Sequence, residues 1–357
     1  MTRAVDLANS VANGVSLGFK NRIINGAMVI DQRYAGAATA NTINGYTVDR
    51  WAVLQSTTGK LIAQQNQGSV TPPAGFTNYL GVTSQSAYSV LAGDIYRFVQ
   101  QIEGLNVADL GWGTANAQTV TLSFWVRSSL TGTFGGAIGN NTGASTYPFT
   151  YTISSANTWE QKTLTIPGPT FGTYATNNTT SIYLQFALGL GSSTAGGTAN
   201  TWGTSAVGGP TGTVSVVGTN GATWYITGVQ LEVGSTATNF EYRDYGRELY
   251  MCQRYYYRLN ADGGNYGAFA QGYQAGLGGP LIYPIPQIMR TTPSATKIGS
   301  IINNFSGSGN PTVGGFLVYS GYPYYGDATG YSASFSGGCF LRANNDVTAR
   351  IEFSAEL

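Results

Sequence analysis

Hydrophobic and polar residues alternate with a period of two in several parts of the chain. In residues 119–127, every even-numbered position from Val120 to Val126 is apolar, and most of the residues between them are polar. Similar alternation recurs in residues 164–166, 182–186 and 224–226. A β-strand with one buried face has this period, and helical periodicity is almost absent. We therefore predict an all-β fold with an antiparallel jelly roll or β-sandwich.

The alternation changes register at Gly228. Trp224 and Ile226 precede this glycine, whereas Val229 and Leu231 follow it with the opposite parity. A β-bulge inserts one extra residue into a strand and shifts the parity of all residues after it. We therefore predict a β-bulge at Gly228.

One segment has the apolar spacing of a helix. Leu249 and Tyr256 are seven residues apart, or about two helical turns, and would share one side of it. We predict a short linking helix over residues 246–258. It would separate a jelly-roll domain, residues 21–245, from a smaller C-terminal β-sandwich domain, residues 259–357.

Two other segments lack regular alternation. Residues 1–20 carry a loose apolar spacing that glycines interrupt, and we interpret them as an anchoring arm, with a frayed terminus as the alternative. Residues 189–221 consist mainly of Gly, Ser, Thr and Asn. A segment of this composition is expected to run over the surface and to carry variable function.

Composition narrows the classes of function. Charged residues make up only 9% of the chain and its net charge is +1, so we expect no nucleic-acid partner. No run of 18 apolar residues and no signal-peptide stretch occurs, so we expect no membrane insertion and synthesis in the cytoplasm. The chain has no His, which removes the commonest general base. We expect Cys252 and Cys339 to be reduced, buried thiols.

Several motifs resemble those of bacteriophage tail-fibre and related virion proteins that carry a jelly roll similar to carbohydrate-binding modules. The N-terminal motifs are NRIINGAMVIDQR at 21–33 and GYTVDRW at 45–51, and the others are IYRFVQQIEG at 95–104, VTLSFWVRS at 120–128, ITGVQLEVG at 226–234, PIPQIMRTTP at 284–293 and FSAEL at 353–357. The resemblance implies a homotrimeric virion protein, located in the tail, that attaches to a host-surface glycan or lipopolysaccharide. Its N-terminal arm would contact other virion proteins.

The resemblance also bears on metals, because jelly rolls of this kind often hold a structural Ca²⁺. Asp31, Asp94, Glu103 and Glu232 lie on or beside predicted strands, but the chain has no EF-hand or dense Asp motif. We name no ligands and expect no cofactor other than such an ion.

Candidate ligand contacts are aromatic. Trp112 and Trp202 lie in turn-rich segments, where an indole ring can stack on a sugar, although anchoring of the loop is the alternative. The C-terminal domain has a second group, and trimer packing is the alternative role for its members, which are Tyr319, Tyr322, Tyr324 and Tyr325. The cluster of Asp49, Arg50 and Trp51 could also contact a sugar, but an arginine–carboxylate pair that joins two strands over a buried Trp fits it better.

Three functions remain open. The first is a tail-fibre or receptor-binding subunit without enzymatic activity. The second is an architectural head-decoration, collar or adaptor protein with no host ligand. The third is a polysaccharide depolymerase, which would need two positioned carboxyl groups, and no recognisable acidic pair supports it.

Overall fold

The computed structural model describes residues 19–40, 44–260, 264–304, 312–318, 325–332 and 335–357. Every pairing between the strands described is antiparallel, which confirms the predicted all-β class. The chain forms two compact units, the first ending at Tyr245 and the second spanning Gly246–Glu356, while the terminal Leu357 groups with the first. No helix within the ranges described is long and apolar enough to cross a membrane.

The first unit is a β-sandwich. Its described strands are β1 (Gly45–Tyr46), β2 (Ala52–Gln55), β3 (Leu61–Gln65), β4 (Leu80–Ser84), β5 (Ile95–Glu103), β6 (Val120–Ser128), β7 (Gly132–Asn140), β8 (Thr146–Ile153), β9 (Glu160–Ile166), β10 (Thr180–Leu190) and β11 (Thr223–Val233). They form a six-stranded sheet in the order β1-β2-β5-β10-β7-β8 and a five-stranded sheet in the order β3-β4-β11-β6-β9. Short 3₁₀ turns lie at Gln67–Ser69, Gly104–Asn106 and Ala108–Leu110.

The core of this unit lies between the two sheets. The even-numbered residues from Val120 to Val126 are all fully buried, as their alternation predicted. Aromatic rings fill the centre, where Trp51 stacks on Phe98 with centroids 4.6 Å apart and Phe98 meets Trp224 edge to face at 5.8 Å. Large buried rings of this kind dominate the energetics of a core.

The predicted β-bulge at Gly228 is confirmed. The register between β11 and β6 shifts between Thr227 and Gln230. Gly228 has a φ of +62°, and a Cβ atom there would lie 2.6 Å from Cζ of Phe76. Because only glycine tolerates this conformation and this close approach, the residue type is required at the bulge.

The first described residues of the chain are tied to the end of the same unit. The backbone amides of Lys20 and Asn21 donate to the two carboxylate oxygens of Glu241, at 3.2 and 2.9 Å. Burial alone would raise the pKa of Glu241, but these hydrogen bonds and the nearby Arg243 guanidinium outweigh it and lower the pKa. Glu241 therefore stabilises this junction in its charged form.

The helix is shorter than predicted. Helix α1 spans Tyr245–Gln253, whereas Tyr256–Asn260 forms strand β12 and pairs with Arg350–Ser354, strand β20. The prediction of a helix to residue 258 was therefore wrong in its last part. Aromatic residues favour a strand, and β20, about 90 residues later in the chain, supplies the hydrogen-bonding partner that a local pattern does not show.

The second unit is also built from two sheets. Its other described strands are β13 (Ala268–Gly276), β14 (Gly278–Ile282), β15 (Ser294–Ile298), β16 (Ile301–Asn304), β17 (Gly315–Val318), β18 (Tyr325–Thr329) and β19 (Phe335–Ala343). The sheet orders are β12-β20-β15 and β16-β19-β13-β14-β18-β17. Ile351 and Phe353 of β20 are fully buried, and Cys252 and Cys339 are buried thiols, as predicted.

Candidate functional site

The outer face of the six-stranded sheet forms a groove of about 640 Å³. Because side chains alternate along a strand, Phe98 and Phe186 point into the core while Arg97 and Gln185 face the groove. The sheet side chains that form its floor are Ala52, Leu54, Ile95, Arg97, Val99, Gln101, Tyr183 and Gln185, and Tyr46 of the edge strand β1 also lines the groove. They come from β2, β5 and β10, which are neighbours in the sheet, so the floor of the groove has a regular hydrogen-bonded backbone.

Two loops build the walls of the groove. One is the β7–β8 turn, which contributes Asn141 and Thr142, and the other is the long connection between β10 and β11, which contributes Thr194 and Val207. The connection was predicted to run over the surface, and part of it does. Its residues Val216 and Val217 are fully buried in the core, so the loop is anchored at its far end.

A short hydrogen-bonded chain orders the polar side chains of the floor. Arg97 Nη1 donates to Oε1 of Gln185 at 2.6 Å, and Nε2 of Gln185 donates to the carbonyl oxygen of Val207 at 3.1 Å. The Tyr183 hydroxyl lies 3.1 Å from Oγ1 of Thr146. Burial raises the pKa of Tyr183, so its hydroxyl is neutral at pH 7. The groove thus presents fixed donors and acceptors rather than mobile ones.

A smaller recess of about 240 Å³ surrounds Trp202 and shares Val207 with the groove. The segment is held against β8 because Thr146 and Gly203 exchange two backbone hydrogen bonds of 2.9 Å. Trp202 is partly buried, its Nε1 donates to the carbonyl oxygen of Pro167 at 2.6 Å, and its ring lies 5.3 Å from that of Tyr147. The indole is therefore held in one orientation beside the recess.

Trp112 contacts Trp202 but lies deeper. Their ring centroids are 5.4 Å apart at a steep angle, and Trp112 also meets Tyr174 edge to face. Trp112 is only 5% exposed, and its Nε1 donates to the carbonyl oxygen of Gln118 at 2.8 Å. This position leaves no ring face for a sugar and favours the loop-anchoring alternative for Trp112.

The predicted tyrosine surface falls largely outside the residues described. Tyr319, Tyr322 and Tyr324 lie outside them, and Tyr325 is described only by its backbone at the start of β18. Their role in ligand contact stays a prediction.

The cluster of Asp49, Arg50 and Trp51 has structural contacts. Asp49 accepts a hydrogen bond from Nε2 of Gln32 at 2.5 Å and lies 3.5 Å from the Arg33 guanidinium. Arg50 donates to the carbonyl oxygen of Gln101, and Trp51 is fully buried. These contacts fit the predicted role over a buried Trp, with the Arg33 guanidinium beside the Asp49 carboxylate.

Two of the carboxylates noted on or beside predicted strands are engaged within the protein. Asp94 accepts hydrogen bonds from the amide of Leu91 and the hydroxyl of Tyr88, and Glu232 accepts one from the amide of Thr238. Within the described ranges, no three His, Cys, Asp or Glu side chains are grouped so that they could hold a metal. A structural Ca²⁺ stays a prediction.

Sequence analysis missed the residues on the floor of the groove. Arg97, Tyr183 and Gln185 occupy odd positions of strands whose even positions are mostly apolar. That parity was a usable signal, because polar residues that alternate with core residues must face the other side of the sheet. The signal does not show which strands are neighbours.

No protein-family model matches the chain, and no curated protein matches it. Among solved structures, the enzymatically active domain of tailspike protein 4 from bacteriophage CBA120 is similar to this chain. The TM-score is 0.33 and the sequence identity is 13%. The match covers 60% of this chain and 21% of the tailspike chain. A putative sugar-binding protein from Bacteroides thetaiotaomicron has a TM-score of 0.35 and 12% identity, over 60% of this chain and all of that one.

A family 11 carbohydrate-binding module from Clostridium thermocellum, in complex with a mixed-linked tetrasaccharide, is also similar. Its TM-score is 0.27 and its identity is 12%, over 58% of this chain and all of that one. Similarity at this level assigns neither a family nor a function to the chain. The function must be argued from its own residues.

Proposed function

We propose that the first unit binds a saccharide in the groove of the six-stranded sheet, as part of a virion protein that attaches to a host-surface glycan. The observation that carries this proposal is the ordered set of polar side chains on the floor, of which Arg97 and Gln185 are the centre. Sugar hydroxyls need donors and acceptors in fixed positions, and a sheet supplies them with little loss of conformational entropy on binding.

The size and lining of the groove support this ligand class. A volume of about 640 Å³ lies in the range of small-molecule sites, which is roughly 300–1,000 Å³. Leu54 and Val99 add apolar surface for the C–H faces of a sugar ring, and Trp202 provides an aromatic ring next to the groove. Mixed apolar and polar lining of this kind suits an oligosaccharide better than a purely apolar ligand.

The proposal is binding without hydrolysis. Glycoside cleavage uses two carboxyl groups on either side of the bond, and no Asp or Glu side chain is among the described residues that line the groove. A depolymerase would lower the viscosity of a bacterial polysaccharide on incubation with the protein. Such a loss of viscosity would overturn this part of the proposal.

The virion assignment rests on the sequence motifs. A homotrimeric tail fibre would present three grooves at once, and avidity would then strengthen weak single contacts. The anchoring arm of residues 1–20, which would join the fibre to other virion proteins, lies almost entirely outside the described residues. We propose the tail as its location, and a host glycan or lipopolysaccharide as its target.

An architectural role is the second candidate, and one observation favours it. The outer face of β13, β14 and β19 in the second unit has a shallow apolar groove of about 450 Å³. Its residues Ile282 and Phe340 are 56% and 40% exposed. Exposed apolar surface of this kind often marks contact with another protein.

Two experiments separate these candidates. Gold-labelled antibody on intact phage particles should decorate the tail tips if the protein attaches to the host, and the head or collar if it is architectural. Titration of host-surface oligosaccharides should show about tenfold weaker binding for Gln185→Ala, or about 1.4 kcal/mol. The matched control is Gln161→Ala, an exposed glutamine on β9 of the opposite sheet. Equal affinity for both variants would contradict the groove as the site.

A further inference from the structure

This inference rests on the proposed saccharide groove and concerns its ligand. We propose that the saccharide carries an anionic substituent, a carboxylate, sulfate or phosphate, and that the guanidinium of Arg97 binds it. Nothing in the sequence motifs pointed to Arg97 as a ligand contact.

Arg97 has the only charged side chain among the described residues that line the groove. The remaining lining side chains are neutral, so no Asp or Glu side chain competes for it there. Leu357 also lines the groove, and its main-chain oxygen accepts a hydrogen bond from the hydroxyl of Tyr46 on the edge strand β1. Arg97 lies on β5, with β2 between it and that edge.

The guanidinium of Arg97 is desolvated but lacks a counter-charge. Its Nε is buried without a hydrogen-bond partner, and its Nη1 donates to the neutral amide of Gln185. Burial lowers the pKa of Arg97, and the nearby Tyr183 opposes this effect. Removing a cation from water without a paired anion is unfavourable.

Other arginines of this unit do have acidic partners. Three with mostly buried side chains lie next to carboxylates, namely Arg22 at 2.6 Å from Asp109, Arg33 at 3.5 Å from Asp49 and Arg243 at 2.9 Å from Glu241. Arg97 differs from them because it faces a groove instead of a carboxylate. An anionic group on the ligand would complete the same kind of pair.

The geometry of the guanidinium suits such a group. Gln185 occupies Nη1 and Nε is buried, which leaves Nη2 to donate to an oxygen of a carboxylate, sulfate or phosphate. Gln185 is itself held by the carbonyl oxygen of Val207, so it keeps the guanidinium in a fixed plane. Charge-assisted hydrogen bonds to a desolvated arginine should account for roughly 10- to 100-fold in affinity.

The test uses the full chain and matched ligands. Oligogalacturonate and its carboxyl-reduced, neutral derivative would be titrated calorimetrically, together with a sulfated and a phosphorylated oligosaccharide that separate the three anionic groups. The variants are Arg97→Gln and, as the control, Arg127→Gln. Arg127 is on β6 of the opposite sheet, where its Nε donates to the carbonyl oxygen of Asn157, so both variants lose one positive charge.

We expect at least one anionic ligand to bind at least tenfold more tightly than the neutral derivative. Arg97→Gln should abolish that preference, while Arg127→Gln should retain it. Arg97→Lys keeps the positive charge but loses the planar guanidinium, so it should give an intermediate affinity for the anionic ligand. It replaces Arg97→Gln as the test variant if Arg97→Gln does not fold.

Three outcomes would overturn the inference. If the neutral derivative binds as tightly as the anionic ligands and Gln185→Ala weakens both, the anionic requirement is wrong but the saccharide groove stands. If Arg97→Gln and Arg127→Gln weaken binding equally, the anionic ligand is attracted by the overall positive charge of the surface and not by Arg97. If no saccharide binds, the proposed function fails as well.

Discussion

Phe186 lies at the centre of the aromatic cluster that joins the two sheets of the first unit. It is fully buried. Its ring centroid lies within 6.4 Å of those of Phe98, Phe124, Phe149, Tyr151 and Trp224. Replacing it with alanine should therefore leave a cavity that rigid neighbouring rings cannot fill.

The expected loss of stability can be estimated. A buried Phe→Ala change costs about 3–5 kcal/mol. Each aromatic pair contributes roughly 0.5–1.5 kcal/mol beyond its buried area, so a ring with several partners belongs in the upper part of that range. We expect Phe186→Ala to lower the free energy of unfolding of the first unit by about 4–5 kcal/mol. For a unit of this size the change corresponds to a fall in Tm of roughly 8–20 °C.

Tryptophan fluorescence can report this unit alone. All six tryptophans precede residue 225, so a urea titration followed by their emission measures unfolding of the first unit only. The matched control is Phe171→Ala, because Phe171 is 37% exposed and should lose less than about 1.5 kcal/mol. A loss below 1.5 kcal/mol for Phe186→Ala, or equal losses for the two variants, would refute this account of the core.

Three further predictions concern pH, the bulge and the recess. The lowered pKa of Glu241 means that its charged form stabilises the fold above its ordinary value of 4.5, and that this contribution is lost as the pH falls through the lowered pKa. Glu241→Gln should thus be less stable than wild type at pH 7, and this deficit should shrink as the pH falls below 4.5. A deficit that stays constant into the acidic range in urea titrations would contradict this. Gly228→Ala should destabilise the first unit by about 2–3 kcal/mol. The control is Gly221→Ala, which should cost less, because Gly221 has a similar positive φ of +72° but open space around it. Equal melting temperatures for the two variants would contradict the role of Gly228 in the bulge. Trp202→Ala should weaken saccharide binding by about tenfold, whereas Trp159→Ala, a partly buried tryptophan outside the groove, should not, and calorimetric titration compares them.

The strand at residues 120–126 and the β-bulge at Gly228 could be predicted because each depends on a pattern within a few consecutive residues. The alternation from Val120 to Val126 and the parity change at Gly228 depend only on which residues must share a buried face. The end of helix α1 could not be predicted in the same way. Tyr256 fits a helical spacing, but pairing with Ser354 in β20 places it in a strand.

In the candidate site, too, the sequence predicts local features, whereas long-range strand pairing sets the rest. The parity of Arg97 and Gln185 within their strands already places both on an outer face of a sheet. Their hydrogen bond joins residues 88 positions apart, and it exists only because β5 and β10 pair. Likewise, Trp112 and Trp202 were both noted in turn-rich segments, but only the packing of those segments buries one ring and leaves the other beside a recess.

The class of the fold follows from the amino-acid pattern alone, since a period of two and abundant turn residues leave few alternatives to antiparallel sheets. In the segments with regular alternation, such as residues 119–127, the sequence also predicted which apolar side chains face inwards. Three features became clear only from the three-dimensional structure: which strands are neighbours, where the long β10–β11 connection rests, and that Arg97 lies in a groove lined by no Asp or Glu side chain among the described residues. The physical reason is that burial of one face is a local requirement, whereas strand order is set by packing between residues far apart in the chain.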